Sequence, residues 1–107
     1  MPNPRLEVID LLGRRVVVID KPSFSIGRRS SNDLLLTGTD VSREHAEIVH
    51  VGDRYVLRDR GSRSGTTVNG ADITERPLSH GDRIRIGQTA GAELVFLLED
   101  KIGRAHV

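Results

Sequence analysis

Arginine recurs beside small hydroxyl and glycine residues in the segments Ile26-Gly27-Arg28-Arg29, Val41-Ser42-Arg43-Glu44-His45 and Gly61-Ser62-Arg63-Ser64-Gly65-Thr66. Guanidinium forks, short hydroxyl donors and exposed backbone amides are the groups that recognise a phosphate. Lys21 and Lys101 are the chain's lysines, and the other basic residues are arginines. The planar guanidinium suits bidentate contact with phosphate, although a GC-rich genome produces the same bias. Taken singly, each segment is also what an ordinary solvated loop carries.

The same residues do not form a catalytic set. Gly61-Ser62-Arg63-Ser64-Gly65 has the outline of a nucleophile elbow, but that motif needs serine at its centre, where this chain has Arg63. Ser42 and His45 are three apart, which in a strand puts them on opposite faces. The 4 histidines are scattered without metal-ligand spacing. With 0 cysteines, thiol nucleophiles, thiolate zinc sites and disulfides are excluded. The glycine segment at 61–65 lacks the terminal Gly-Lys-Ser/Thr of a nucleotide loop, and no dinucleotide fingerprint occurs. The expectation is a binding module without catalytic residues, cofactor or metal.

The charge is balanced, 16 basic against 15 acidic residues over 107. An anion site must therefore be local, and net charge gives no general attraction to nucleic acid or membrane. Aromatics are limited to Phe24, Tyr55 and Phe96, too few for a base-stacking platform. No run approaches the roughly 18 apolar residues that span a bilayer, and Met1-Pro2-Asn3-Pro4-Arg5 lacks the apolar core of a signal peptide. A cytoplasmic protein, with neither nucleic acid nor membrane as partner, is expected. Ile102-Gly103-Arg104-Ala105-His106-Val107 extends no earlier pattern and reads as the translation of a sequencing-adapter oligonucleotide. Residues 1–101 are accordingly taken as the domain and 102–107 as a non-native tail, with the natural protein expected to continue beyond Asp100.

The chemistry-bearing segments lie between short β-type runs. Leu6–Leu11 and Arg15–Ile19 flank a turn at Gly13, and Ala46–Val49 and Tyr55–Arg58 flank Gly52-Asp53, two hairpin signals. Phe24–Ile26, Thr67–Gly70, Arg83–Ile86 and Glu93–Leu98 complete the set. Spacings of about 8 to 12 residues predict an all-β sandwich instead of a βαβ fold. Asp40–Glu47 tolerates a capped helix, but its continuation through Ile48-Val49-His50-Val51 predicts a loop over Ser42–Glu44 leading into a strand.

Gly27-Arg28, Ser42-x-x-His45, Gly61-Ser62-x-x-Gly65-Thr66, Asn69-Gly70 and Gly81-Asp82-x-Ile84-x-Ile86-Gly87, in this order, closely resemble the forkhead-associated (FHA) domain from about Arg5 to Glu99. The resemblance implies a twisted two-sheet β-sandwich of about eleven strands, FHA/SMAD-like, reading phosphothreonine through loops at one end. Carried over, Arg28 would pair with the phosphate and Ser42 would donate its hydroxyl to it. Arg43 sits at a second phosphate or peptide contact. His45 would brace the loops, Gly65 and Thr66 would shape one of them, and Asn69 would tie neighbouring loops together. Gly27 would allow a conformation or close approach that a side chain obstructs. Many family members have asparagine where this chain has Ser64. Serine makes fewer hydrogen bonds, and Arg63 could compensate by reaching the phosphate or an acidic neighbour. The implied partner is a phosphothreonine protein, the substrate of a Ser/Thr kinase, bound by a domain that is monomeric when isolated and part of a longer protein. The same fold could alternatively serve as a phosphate-independent scaffold, or as the sensor of a longer kinase, cyclase or transcriptional regulator.

Overall fold

The computed structural model describes residues 4–88 and 91–98; the expected non-native tail lies outside them. The described residues form eleven strands: β1 (Arg5–Asp10), β2 (Gly13–Val18), β3 (Ser23–Gly27), β4 (Leu34–Leu35), β5 (Ala46–Val51), β6 (Arg54–Asp59), β7 (Thr66–Val68), β8 (Ala71–Asp72), β9 (Glu75–Pro77), β10 (Arg83–Ile86) and β11 (Ala92–Leu97). They make a six-stranded sheet in the order β2-β1-β11-β10-β7-β8 and a five-stranded sheet in the order β4-β3-β5-β6-β9. The fold is the expected β-sandwich. Strands β3 and β4 run parallel, with Ile26 opposite Leu34, and the other paired strands run antiparallel.

Alternation along the strands makes the core. Ala92, Leu94 and Phe96 of β11 are buried while Glu93, Val95 and Leu97 between them face outward. Ile84 and Ile86 of β10, Leu6 and Val8 of β1, and Phe24, Ile26, Ile48 and Leu57 of the other sheet belong to the same single cluster. Burying each such side chain stabilises the fold by roughly 1.5–3 kcal/mol.

The strands missing from the sequence reading are β4, β8 and β9, of two or three residues each, too short to carry a period-2 pattern. The run Thr67–Gly70 divides into strand β7 and the Asn69-Gly70 turn. The first hairpin turns at Leu11-Leu12; Gly13 already pairs with Asp10 as the first residue of β2. The second turns at Gly52-Asp53 as expected, with Gly52 at φ 63°.

Antiparallel order brings the ends of β3 and β6 and the starts of β5 and β7 to one end of the sandwich. The loops β3–β4, β4–β5 and β6–β7 therefore meet there, joined by the β10–β11 connection through a Gly87 N–H to Gly65 carbonyl bond of 3.1 Å.

Candidate functional site

Ser42 to Glu44 is a loop leading into β5, as expected. Because the segment turns and is not a strand, Ser42 and His45 meet: the Ser42 backbone N–H donates to His45 Nδ1 at 3.0 Å. Nδ1 is thus the ring's acceptor, and Nε2 carries the proton it donates to the Gly65 carbonyl at 2.8 Å. His45 is buried and makes no catalytic pair with the Ser42 hydroxyl; it links the β4–β5 loop to the β6–β7 loop. The Arg60 N–H to the His45 carbonyl, 2.9 Å, adds a second link.

The Ser42 hydroxyl oxygen accepts the Arg63 backbone N–H at 3.0 Å. One lone pair is occupied, and the hydroxyl proton remains to be donated. Arg28 is fixed at its root: its backbone N–H donates to the Ser42 carbonyl at 3.0 Å and its Nε to the Val41 carbonyl at 2.9 Å. Its two terminal amino groups have no partner among the described residues.

Arg28, Ser42, Arg43, Arg63 and Ser64, together with Asp40, line an open cleft of about 310 Å³. Arg43 and Arg63 are exposed and, like Arg28, have no carboxylate partner among the described residues. Neighbouring arginines differ: Glu44 lies 3.6 Å from Arg29 and 3.7 Å from Arg60, and Glu47 lies 3.2 Å from Arg60. Three arginines against the single carboxylate of Asp40 give the cleft an excess of positive charge.

Gly27 lies beneath it, and a Cβ there would stand 2.1 Å from the Arg43 carbonyl oxygen and 2.8 Å from Asn32 Nδ2. Its φ is not in the left-handed region, so close approach is the reason for glycine. Gly65 has φ 89°, which an L side chain adopts only with strain, and its carbonyl reaches both His45 and Gly87. Asn69 lies elsewhere. It sits beyond the other end of β7, where its Nδ2 donates to Asp82 at 3.1 Å and its Oδ1 accepts the Arg83 N–H at 3.0 Å. It joins the β7–β8 turn to the start of β10 and, among the described residues, has no hydrogen bond to the cleft loops.

Three supporting residues escaped the sequence reading. Asp59, at the end of β6, accepts Ser62 Oγ at 2.6 Å and Thr66 Oγ1 at 2.7 Å on one oxygen, and the Gly61 and Ser62 N–H groups, each at 3.0 Å, on the other. Burial pushes this carboxyl up, but the hydrogen bonds from Ser62 and Thr66 outweigh it and hold the group below the ordinary aspartate value. Aspartate two residues before glycine is an Asx-turn signal, so Asp59 was discoverable. Asn32 Nδ2 bridges the Arg29 and Arg43 carbonyls at 2.9 and 2.8 Å, and Gln88 Nε2 donates to the Ser64 carbonyl at 3.1 Å. Neither long-range contact leaves a local signal.

A cleft of this build on a two-sheet sandwich invites comparison with known proteins. Residues 24–87 match the model of the FHA domain family. The chain belongs to the FHA family. It is 40% identical over 80 residues to the oxoglutarate dehydrogenase inhibitor of Corynebacterium jeikeium, covering 75% of this chain and 54% of that protein. To the glycogen accumulation regulator GarA of Mycolicibacterium smegmatis it is 37% identical over 84 residues, covering 78% of this chain and 51% of the relative. The chain thus spans about half the length of these curated relatives. A solved structure from work on phosphothreonine-dependent FHA domain interactions superposes with TM-score 0.82 at 35% identity, covering 92% of this chain and 98% of that one. No helix among the described residues is long and apolar enough to cross a membrane.

Proposed function

We propose that this FHA domain is a reversible reader of phosphothreonine in a partner protein, acting by binding and not by catalysis. The observation that carries the reading is the pairing of Arg28 and Ser42 in one cleft. Arg28 is tied by Nε to the Val41 carbonyl, which leaves its terminal amino groups for an anion. Ser42 is held as an acceptor by Arg63 N–H, which leaves its proton for one. A phosphothreonine brings about −1.5 to −2 charges, and each charge-assisted hydrogen bond contributes roughly 1.5–3 kcal/mol net. Two or three such bonds contribute roughly 3–9 kcal/mol, and contacts to the flanking peptide must offset the ordering costs for the site to reach micromolar affinity, on the order of −8 kcal/mol.

Arg43 and Arg63 flank that seat and supply the second positive charge a dianion needs. Ser64 reaches the peptide through its hydroxyl, which has no partner among the described residues. The partner is a substrate of a Ser/Thr kinase, and capture ends on dephosphorylation. The absence of cysteine fits a reducing compartment, which supports a cytoplasmic site of action.

The test is a titration of degenerate phosphothreonine, phosphoserine and unphosphorylated peptide libraries against the domain, with Arg28→Ala and Ser42→Ala alongside. Binding that requires phosphothreonine and falls at least about tenfold in each variant, the loss of one charge-assisted bond, is the expected result. Equal weak binding of all libraries, unchanged in Arg28→Ala, would overturn the reading in favour of a phosphate-independent scaffold.

A further inference from the structure

The four sheet edges of the sandwich are unequal. Strands β4 and β8 have two residues each, and β9 has three and ends in Pro77. Short strands and proline are the usual protections of an edge. Strand β2 is different: six residues, Gly13-Arg14-Arg15-Val16-Val17-Val18, without proline. The ladder with β1 continues to an Ile19 N–H to Pro4 carbonyl bond of 2.8 Å. By antiparallel alternation Val17 and Arg15 also turn their backbone groups toward β1, while Arg14, Val16 and Val18 turn theirs to the edge, where no described strand pairs with them.

The side chains repeat the message. Val16 is 57% and Val18 45% exposed, and Leu11 and Leu12 at the hairpin tip are 85% and 74% exposed. Arg15 donates to the Leu35 carbonyl at 3.3 Å, so β4 lies beneath β2, with Leu35 turned to the outer face of the other sheet. Of the exposed large hydrophobics among the described residues, Leu11, Leu12, Val16 and Val18 belong to the β1–β2 hairpin. Exposed aliphatics gathered on an open edge mark an interaction surface.

In place of the monomer that the resemblance implies, we infer that β2 pairs antiparallel with β2 of a second copy of this chain, in the register that sets Val16 opposite Val18 and Arg14 opposite Asp20. The segment Arg14-Arg15-Val16-Val17-Val18-Ile19-Asp20 is self-complementary about Val17. A two-fold axis there matches Arg14 of each copy with Asp20 of the other and brings the four valines of positions 16 and 18 together on one face. Edge-facing residues then meet edge-facing residues, as a continuous ladder requires. A two-fold contact needs this kind of self-complementarity, and opposite charges across an antiparallel pair are favourable. Arg14 is exposed, its ion pair with Glu7 at 3.5 Å is a surface one, and Asp20 is exposed. A formal net charge of +1 opposes association little.

The pairing joins two six-stranded sheets into one. The β1–β2 turn is at the cleft end of the sandwich, because Ile9 pairs with Glu93 at the start of β11. Antiparallel pairing therefore leaves the two clefts at opposite ends of the joined sheet, both open. The dimer would be a divalent reader, whatever ligand the clefts take.

Sedimentation of the 107-residue chain from about 5 to about 500 µM, the range where marginal association dissociates, should show a monomer–dimer equilibrium. Val16→Lys should weaken it at least about tenfold, or 1.4 kcal/mol. Arg14→Asp and Asp20→Arg should each weaken it, and the double exchange should restore it. Since the chain has no cysteine, Val17→Cys places one thiol at the symmetry axis, in a pair whose Cα separation of about 4.5 Å admits a disulfide. It should cross-link on mild oxidation while Val51→Cys does not, a readout independent of whether Val16→Lys folds. A monomer across the whole range, a double exchange no better than either single one, or equal cross-linking of the two cysteine variants overturns the inference.

Discussion

At Gly27 a single methyl group decides whether the cleft can form. The Arg43 carbonyl oxygen would lie 2.1 Å from an added Cβ, and that carbonyl already accepts the Arg29 N–H at 3.2 Å and Asn32 Nδ2 at 2.8 Å. Backbone on both sides must move, and the loop that moves carries Ser42 and Arg43. Overpacking of this kind costs about 1–3 kcal/mol, which for a domain of this size is a fall in Tm of several degrees at least. Gly27→Ala should therefore lower both Tm and peptide affinity. A thermal melt and a peptide titration measure the two, and unchanged values in both would mean that the loop yields without cost. The chain could be read for the residues that line this cleft, because arginine, serine and glycine at fixed order are chemical signals. It could not be read for what holds them. Asn32 and Gln88 each reach a carbonyl of another loop, at Arg43 and Ser64, and the Ser42–His45 contact exists because the segment turns, where strand periodicity would separate the pair.

The β6–β7 loop shows how an element positions such residues. Asp59 closes it with one oxygen for two hydroxyls and the other for two backbone N–H groups, and the loop in turn presents the Arg63 N–H to Ser42. An asparagine amide keeps one acceptor but turns two N–H donors toward donors. Asp59→Asn should thus lower stability and, at neutral pH, peptide affinity. The pH dependence identifies the cause. Because the folded carboxyl is held below its ordinary value of 3.8, its contribution is present above the unfolded value and is lost as pH falls through the lower folded one. Melts between pH 7 and pH 2 should show wild type above Asp59→Asn at neutral pH, with the gap closing below pH 3.8. A gap constant down to pH 2 would mean that the carboxylate charge is irrelevant to the loop. Strands were legible from sequence where alternation or a β-branched run had room to show, as in Glu93–Leu98 and Arg15–Ile19. β4, β8 and β9 follow from neighbours that recruit them: Leu34 pairs with Ile26 and Arg76 with Leu57.

For the whole molecule, recognition and stability are separable although the same strands carry both. Leu57 is buried at the centre of β6, opposite Ile48 on one side and Arg76 on the other, and no cleft residue is bonded to its side chain. Leu57→Ala removes its methyl groups from a packed core and leaves a cavity that closes only in part, at a cost of about 2–5 kcal/mol. Against a total stability of about 5–15 kcal/mol, that is a Tm lowered by roughly 8–40 °C at about 4–8 °C per kcal/mol. Below the transition, however, the folded fraction still carries Asp59, two residues on, in its ladder pair with Ala46. The loops keep their hydrogen bonds, and the affinity for a phosphothreonine peptide should stay within about twofold of wild type, less than 0.5 kcal/mol. Arg28→Ala should do the reverse, lowering Tm far less than Leu57→Ala through loss of its bond to the Val41 carbonyl while weakening binding at least about tenfold. Titration at about 10 °C, near the usual temperature of maximum stability, beside a melt of each variant, reads both quantities. A large affinity loss in folded Leu57→Ala would show that the core sets the geometry of the cleft directly, and that the loop hydrogen bonds alone do not hold it.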